Sequence, residues 1–406
     1  MNILFATPYL PAPPNFGGAR RMYELIRGAS RLDVVRTLSL TGPTDDVAAT
    51  EHALGPIVPV RVPVTARMAP DRQRRGGQLR SLAARHSFQY RITHHTQLQV
   101  ALDQLMSHGD IDLVQFEFSQ MGSYRTNTLP TVLDVHNIEH DVLRQMARSG
   151  SVARRLFNLL EYRKFRHEEI EAWHRAGRCI ATSALDAVVI ERHIGRTVPV
   201  IPNGVDLDYF AAPPPLETGD TDIVFTGAMR YRPNSEGAIW FVERVLPLIH
   251  RELPDARFSI VGADPPAAVR ALADRRGVMV TGTVDDVRPW LQAAHIVVVP
   301  LLSGGGTRLK LLEAFAGSRP VVSTRIGAEG IEVRDDHELL LADEPERFAR
   351  AVIALARAPE LRARLTESAI ELVRARYQWS AISAQLRAVH EELLAIPSSG
   401  RRRRRW

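Results

Sequence analysis

A chain of 406 residues with 45% hydrophobic content can bury two ordinary cores, so two domains are expected. The net charge of +6 rests almost wholly on the run Arg401 to Arg405, and the nearly neutral body argues against a nucleic-acid-binding surface. The single cysteine, Cys179, excludes an internal disulfide framework and a cysteine-based structural zinc site, and no stretch is long and apolar enough to span a membrane.

The start of the chain reads as a short apolar strand, residues 3 to 7, without a basic leader. A loop with Gly17 and Gly18 follows, then a helix from about Ala19 to Arg27. Strand-like runs recur at Val34 to Leu40, Ile57 to Val64, Leu113 to Phe118, Thr131 to Val135, Cys179 to Thr182 and Val198 to Ile201. Helical patterns separate most of them, which indicates a first parallel α/β domain. Two stretches in this half are basic: Arg67 to Arg85, and the helical pattern of Ser151 to Arg175. A basic amphipathic surface fits an anionic membrane face.

Pro202-Asn203-Gly204 and the run Pro213 to Pro215 break the pattern, and it then restarts. Strands are expected at Asp222 to Thr226, Phe258 to Val261, Val278 to Thr281, Ile296 to Leu302, Pro320 to Ser323 and Leu339 to Leu341. A long helix is expected over Ser235 to Leu253. Helical sequence from Glu344 to Arg376 precedes a last helix, Ser380 to Leu394, which must pack outside its own sheet. The predicted segments are 1–204, 205–376, a terminal crossover helix 377–396, and an arginine-rich tail 397–406.

The densest chemistry is at 297–322. An apolar strand ends in Gly304-Gly305-Gly306, where backbone can approach a ligand closely, and Thr307 stands ready to cap the next helix. A helix N-terminus beside glycines favours a bound anion. Arg308 adds charge, and Lys310 is one of only two lysines in the chain, the other being Lys164. A compact ammonium suits a phosphate. Glu313 lies among Leu311, Leu312, Ala314 and Phe315, so its carboxylate is expected to serve a ligand.

Taken in order, these blocks resemble the GT-B glycosyltransferases, specifically the retaining family known as glycosyltransferase family 4 or group 1. The carriers are Gly17-Gly18, the strand end Asp134-Val135-His136-Asn137, Ile201 to Asp206, Phe225-Thr226-Gly227, and Gly304 to Val322. The resemblance implies two Rossmann-like parallel-sheet domains facing across a cleft, with the last helix crossing back to the first domain. It implies a donor site in the second domain made by Gly227, Gly306, Thr307, Arg308, Leu309 and Glu313. Glu313 would hold the donor ribose. Lys310, Arg232 and His136 would be catalytic, with Arg230 the other candidate for the loop charge, and Gly17, Gly18 and Glu117 would meet the acceptor. Gly305 stands where the family carries a first glutamate, and Ala228 to Gly237 lacks the family's lysine.

A nucleotide-sugar donor, UDP- or GDP-linked, is therefore expected to transfer its sugar to a glycan or lipid-linked acceptor in cell-surface polysaccharide or glycolipid assembly. The alternatives are a nucleotide-sugar epimerase on the same fold and a non-catalytic nucleotide-sugar-binding protein. No cofactor or metal is expected, because Asp110-Ile111-Asp112 precedes its strand and Asp206-Leu207-Asp208 sits in a turn. The expected location is cytoplasmic, with a peripheral position on the inner face of the plasma membrane left open through Arg67 to Arg85 and the Arg401 to Arg405 tail.

Overall fold

A computed structural model describes residues 1–13, 17–42, 45–55, 71–126, 129–147, 152–211, 221–304 and 306–396. The strand expected at Ile57 to Val64, the position of Gly305 and the arginine tail lie outside the described residues, as do residues 67–70 of the basic stretch and the side chains of 71–75 and 79. The chain divides into two compact units: Met1–Pro202 with Ile382–Trp406, and Asn203–Ala381.

In the first unit five parallel strands take the order β2-β1-β3-β4-β5. They are β1 (Asn2–Thr7), β2 (Val34–Ser39), β3 (Leu113–Glu117), β4 (Thr131–Val135) and β5 (Arg178–Ala181). Their β-branched and apolar runs suit a sheet covered on both sides. Leu4, Val114, Phe116 and Leu133 pack with Trp173 and Ile190 on one side, and Ile3, Phe5 and Leu113 pack with Met22 and Ile26 on the other. The run expected at Val198 to Ile201 is reduced to a single bridge, Val200 to Ala181.

Helix Gly17–Ala29 covers the second of those faces and begins two residues earlier than its apolar pattern suggests. Its glycines are thus helical residues, not an open loop. The last helix, Trp379–Ala395, also packs on this unit. Leu394 joins the Ile3–Phe5 core, and Arg387 pairs with Asp33 at 2.7 Å. Gly28 is required here, because a Cβ would stand 1.9 Å from Ser383 Oγ.

The second unit holds six parallel strands in the order β11-β10-β9-β6-β7-β8. They are β6 (Thr221–Thr226), β7 (Phe258–Val261), β8 (Val278–Gly282), β9 (Ala294–Val299), β10 (Val321–Ser323) and β11 (Leu340–Leu341). Phe225, Phe241, Phe258, Phe315 and Phe348 anchor its core. The expected long helix runs from Arg232 to Glu252, with a wider turn at Phe241–Val245. That turn falls just before Pro247, which has no N–H to donate and crowds the preceding turn.

Candidate active site

β6 and β9 are neighbours, so their carboxyl ends bring two loops together, which is where open α/β sheets hold ligands. Gly227 ends β6 with φ of 151°, and a Cβ there would lie 2.6 Å from Lys310 Nζ and 2.7 Å from Asn234 Nδ2. The bare backbone at this glycine is what admits both side chains.

Lys310 Nζ donates to Asn234 Oδ1 at 2.7 Å and sits 4.3 Å from the centre of the Phe225 ring. Asn234 in turn donates to Ala228 O at 2.9 Å. Burial outweighs the attraction of Glu313 and lowers the Lys310 ammonium to about 7. A lysine with that value is partly the neutral amine at neutral pH, and an arriving anion favours its protonation.

The β9 loop supplies the other wall. Gly304 and Gly306 have φ of 117° and 77°, and a Cβ on Gly304 would meet Tyr231 Oη at 3.1 Å. The helix begins at Leu309 with Arg308 as its N-cap, and no side chain among the described residues caps it. This corrects the expectation that Thr307 is the cap. Its Oγ1 is instead buried with no hydrogen-bond partner among the described residues. A buried hydroxyl without a partner beside an uncapped helix start calls for a ligand oxygen. Arg308 is buried, donates to Ile326 O at 3.3 Å and lies 3.8 Å from Glu329. Leu309 contributes its backbone N–H, which here meets Thr307 O at 3.2 Å. Glu313 is half-buried one turn after Lys310.

Arg232 opens the helix that follows the β6 loop. It is two-thirds exposed and paired with Glu236 at 2.6 Å, the helical i,i+4 partner that claims it. Arg230 is likewise paired with Asp264 at 2.8 Å. The side chain that reaches Lys310 from this loop is Asn234, which carries no charge and so gave no signal in a search for phosphate-binding cations. Tyr231 was missed for the same reason.

In the first unit the strand register sets Glu117 beside Asp134. Asp134 receives two hydrogen bonds from Arg21, at 2.8 and 2.9 Å, and all three side chains are buried. His136 Nε2 is 2.8 Å from Glu117 Oε2 and 3.6 Å from Asp134 Oδ2, and Phe118 stacks on its ring at 3.8 Å. Phe118 does so with φ of 68°, a left-handed conformation that points to a local constraint. His136 Nδ1 makes no hydrogen bond among the described residues. Burial and Asp134 raise the proton affinity of Glu117, while His136 and Arg21 oppose this.

Glu117 was expected to meet an acceptor. It is instead fully buried, with Gln115 donating to its other oxygen at 2.8 Å and His136 beside the first. Gly17 and Gly18 form the first turn of the helix that presents Arg21. Glu117, Asp134 and His136 bring oxygen and nitrogen atoms within 4.8 Å of one another. Both Asp134 oxygens already face the Arg21 guanidinium, so the positive charge this cluster needs comes from the chain itself. Glu139 and His140 do not cap their own helix; Glu169 accepts both backbone N–H groups, at 3.1 and 3.0 Å.

The first unit also contains a cavity of about 570 Å³, lined among others by Arg85, Arg125, Arg175, Tyr90 and Gln120. The rings of His86, Tyr90, His94 and Tyr124 form a stacked series with successive centroids 4.1, 4.7 and 5.0 Å apart. Gln120 Oε1 is buried without a hydrogen-bond partner among the described residues.

Residues 220–358 match the family described as glycosyl transferases group 1. The chain is 30% identical over 234 residues to a phosphatidyl-myo-inositol mannosyltransferase of Mycobacterium leprae, a match covering 55% of this chain and 61% of that protein. It therefore spans less than two thirds of that relative's length. Among solved structures, sucrose-phosphate synthase of Thermosynechococcus elongatus superposes with a TM-score of 0.71 at 17% identity, covering 98% of this chain and 100% of the other. HepE of Anabaena, solved in complex with UDP, gives 0.66 at 16% identity, covering 97% of this chain and 100% of the other. By these matches residues 220–358 are similar to the group 1 glycosyl transferases, and the chain has the GT-B fold.

Proposed function

We propose that the protein is a retaining glycosyltransferase. It moves a hexosyl or related sugar from a UDP- or GDP-linked donor to a glycan or lipid-linked acceptor in assembly of a cell-surface polysaccharide or glycolipid. The observation that carries this reading is the cradle of the second unit, where Gly227, Gly306, Thr307 without a hydroxyl partner among the described residues, the start of the next helix and half-buried Lys310 converge. Such a site suits a diphosphate, and a protein with the same fold is described in complex with UDP.

The acceptor hydroxyl attacks the anomeric carbon on the face from which the diphosphate departs. The bond from that carbon to the phosphate oxygen breaks, and the hydroxyl proton passes to the leaving phosphate. Lys310, Arg308 and the helix start stabilise the charge that develops there, and no protein nucleophile or metal is needed. Glu313 holds the donor ribose, and His136 orients a hydroxyl through Nδ1. A lipid-linked acceptor is supported by the inositol phospholipid named in the M. leprae relative's description.

The test is incubation of protein with candidate donors and acceptors, with the anomeric configuration of the product read by NMR. A product of retained configuration is expected. An inverted product, or isomerised donor in the absence of acceptor, would overturn the reading. A peripheral membrane position through the Arg67 to Arg85 stretch and the tail belongs to the same proposal. Sedimentation with anionic vesicles should lose most of the bound protein when those arginines are replaced by glutamate, and equal pelleting of both proteins would count against it.

A further inference from the structure

A line of buried side chains runs from the last helix to His136. His390 Nε2 is 2.7 Å from Gln115 Oε1, Gln115 Nε2 is 2.8 Å from Glu117 Oε1, and Glu117 Oε2 is 2.8 Å from His136 Nε2. His390 is 1% exposed, Gln115 and Glu117 are 0%, and His136 is 6%. Gln115 and Glu117 share one face of β3 by strand alternation, the face on which Leu113 packs against helix Gly17–Ala29 and the last helix.

The chemistry of the amide gives this line a direction. A carboxylate only accepts, so the Gln115 NH₂ must face Glu117 and its carbonyl must face His390. His390 must then donate from Nε2. Burial lowers its proton affinity to about 4, so at neutral pH it is a neutral imidazole with its one proton on Nε2. Asp33 and Arg387 are the charged groups that act on it, Asp33 raising and Arg387 lowering its proton affinity.

Two arrangements compete at the other end. In one, Glu117 is ionised and accepts from His136 Nε2–H, leaving Nδ1 as a lone pair. In the other, Glu117 is protonated and donates to Nε2, so Nδ1 carries the proton. Burial and the neighbouring Asp134 push toward the second, while Arg21 and the Gln115 N–H push toward the first. Tyr9 and Glu139 add to the groups around this cluster.

We propose that His390 and Gln115 are positioning residues that hold Glu117 ionised and thereby fix His136 in the Nε2–H tautomer, with Nδ1 presented to a substrate hydroxyl. The last helix then belongs to the catalytic apparatus as well as to the packing of the first unit. A buried amide and imidazole at these positions make a poor stabilising device, because apolar residues of the same volume would fill the space without the desolvation cost. The role in catalysis rests on the assignment of His136 in the proposed reaction; the tautomer does not.

The experiment is ¹⁵N NMR of the full-length protein with labelled histidine. In the wild-type chain His136 should show a protonated Nε2 and an unprotonated Nδ1 at neutral pH. The reverse tautomer overturns the proposal without recourse to any variant. In His390→Leu the His136 signals should shift toward the Nδ1–H form and kcat should fall about tenfold with donor KM unchanged. His390→Gln, which can still donate to Gln115, should restore both. A folded His390→Leu protein with the wild-type tautomer, or equal losses in the Leu and Gln variants, would reject the relay. A shifted tautomer with full turnover would reject its catalytic role. If the wild-type chain transfers no sugar to any acceptor, the functional reading fails, and the tautomer still decides whether the relay exists.

Discussion

Lys310→Met should lower kcat/KM by about 10²- to 10³-fold, the usual loss when one preorganised donor to a developing charge is removed. The same variant should abolish proton uptake on binding of a nucleoside diphosphate. Lys310 is flanked by Asn234 Oδ1 and the Phe225 ring, yet its ammonium is lowered to about 7 because burial dominates. A diphosphate restores the missing counter-charge and raises that value. At pH 8 the wild-type protein should therefore take up close to one proton per nucleotide bound. Calorimetry in two buffers of different ionisation heat measures this directly, and equal uptake by Lys310→Met would remove Lys310 from the phosphate site.

The sign of the stability effect follows from the same group. An unfolded lysine keeps its proton up to about 10.4, whereas the folded, ligand-free chain releases it near 7. Between those limits the unfolded state binds more protons, so the ligand-free protein should gain stability as pH rises from 7 toward 10. Lys310→Met should flatten that rise, and saturating nucleotide should do the same by keeping the lysine protonated in the folded state. Denaturation at several pH values, with and without nucleoside diphosphate, would show it.

Arg21→Met should be the most destabilising single change in the first unit. It leaves Asp134 fully buried without its guanidinium, with Glu117 paired to it across the strands. Breaking a buried pair in this way costs about 3–5 kcal/mol, because the remaining charge cannot be solvated. Adding Asp134→Leu should recover most of the loss, since an apolar pair of similar volume meets no such penalty. Denaturant unfolding followed by Trp173, which is buried in this unit, reports the effect. An Arg21→Met protein within about 1 kcal/mol of wild type would mean that the pair does not carry the charge balance of the cluster.

Much of the proposed donor cradle could be read in the chain because its parts are close in sequence. Gly304, Gly306, Thr307, Arg308 and Lys310 fall within seven residues, and a strand end followed by glycines and a helix start has few other uses. Thr307 as a cap was the local error. A threonine before a helix is a statistical cap, but the helix here starts at Leu309 with Arg308 in the N-cap position. Arg232, implied for the loop charge by the resemblance, is paired in this structure with Glu236 one turn later.

Periodicity in the sequence determined the two parallel α/β units and the strands that build them, because burial on both faces leaves long apolar runs that depend on no distant residue. It also determined the glycine-rich loop and Lys310, whose chemistry is local. Only the tertiary structure decided what surrounds them. Asn234 meets Lys310 from 76 residues away, Arg21 reaches Asp134 across 113, and His390 reaches Gln115 across 275. Such partners are set by strand order, by the register that places Glu117 beside Asp134, and by which sheet the last helix packs on. A buried polar side chain announces in the sequence that it needs a partner, but folding alone selects which one it finds.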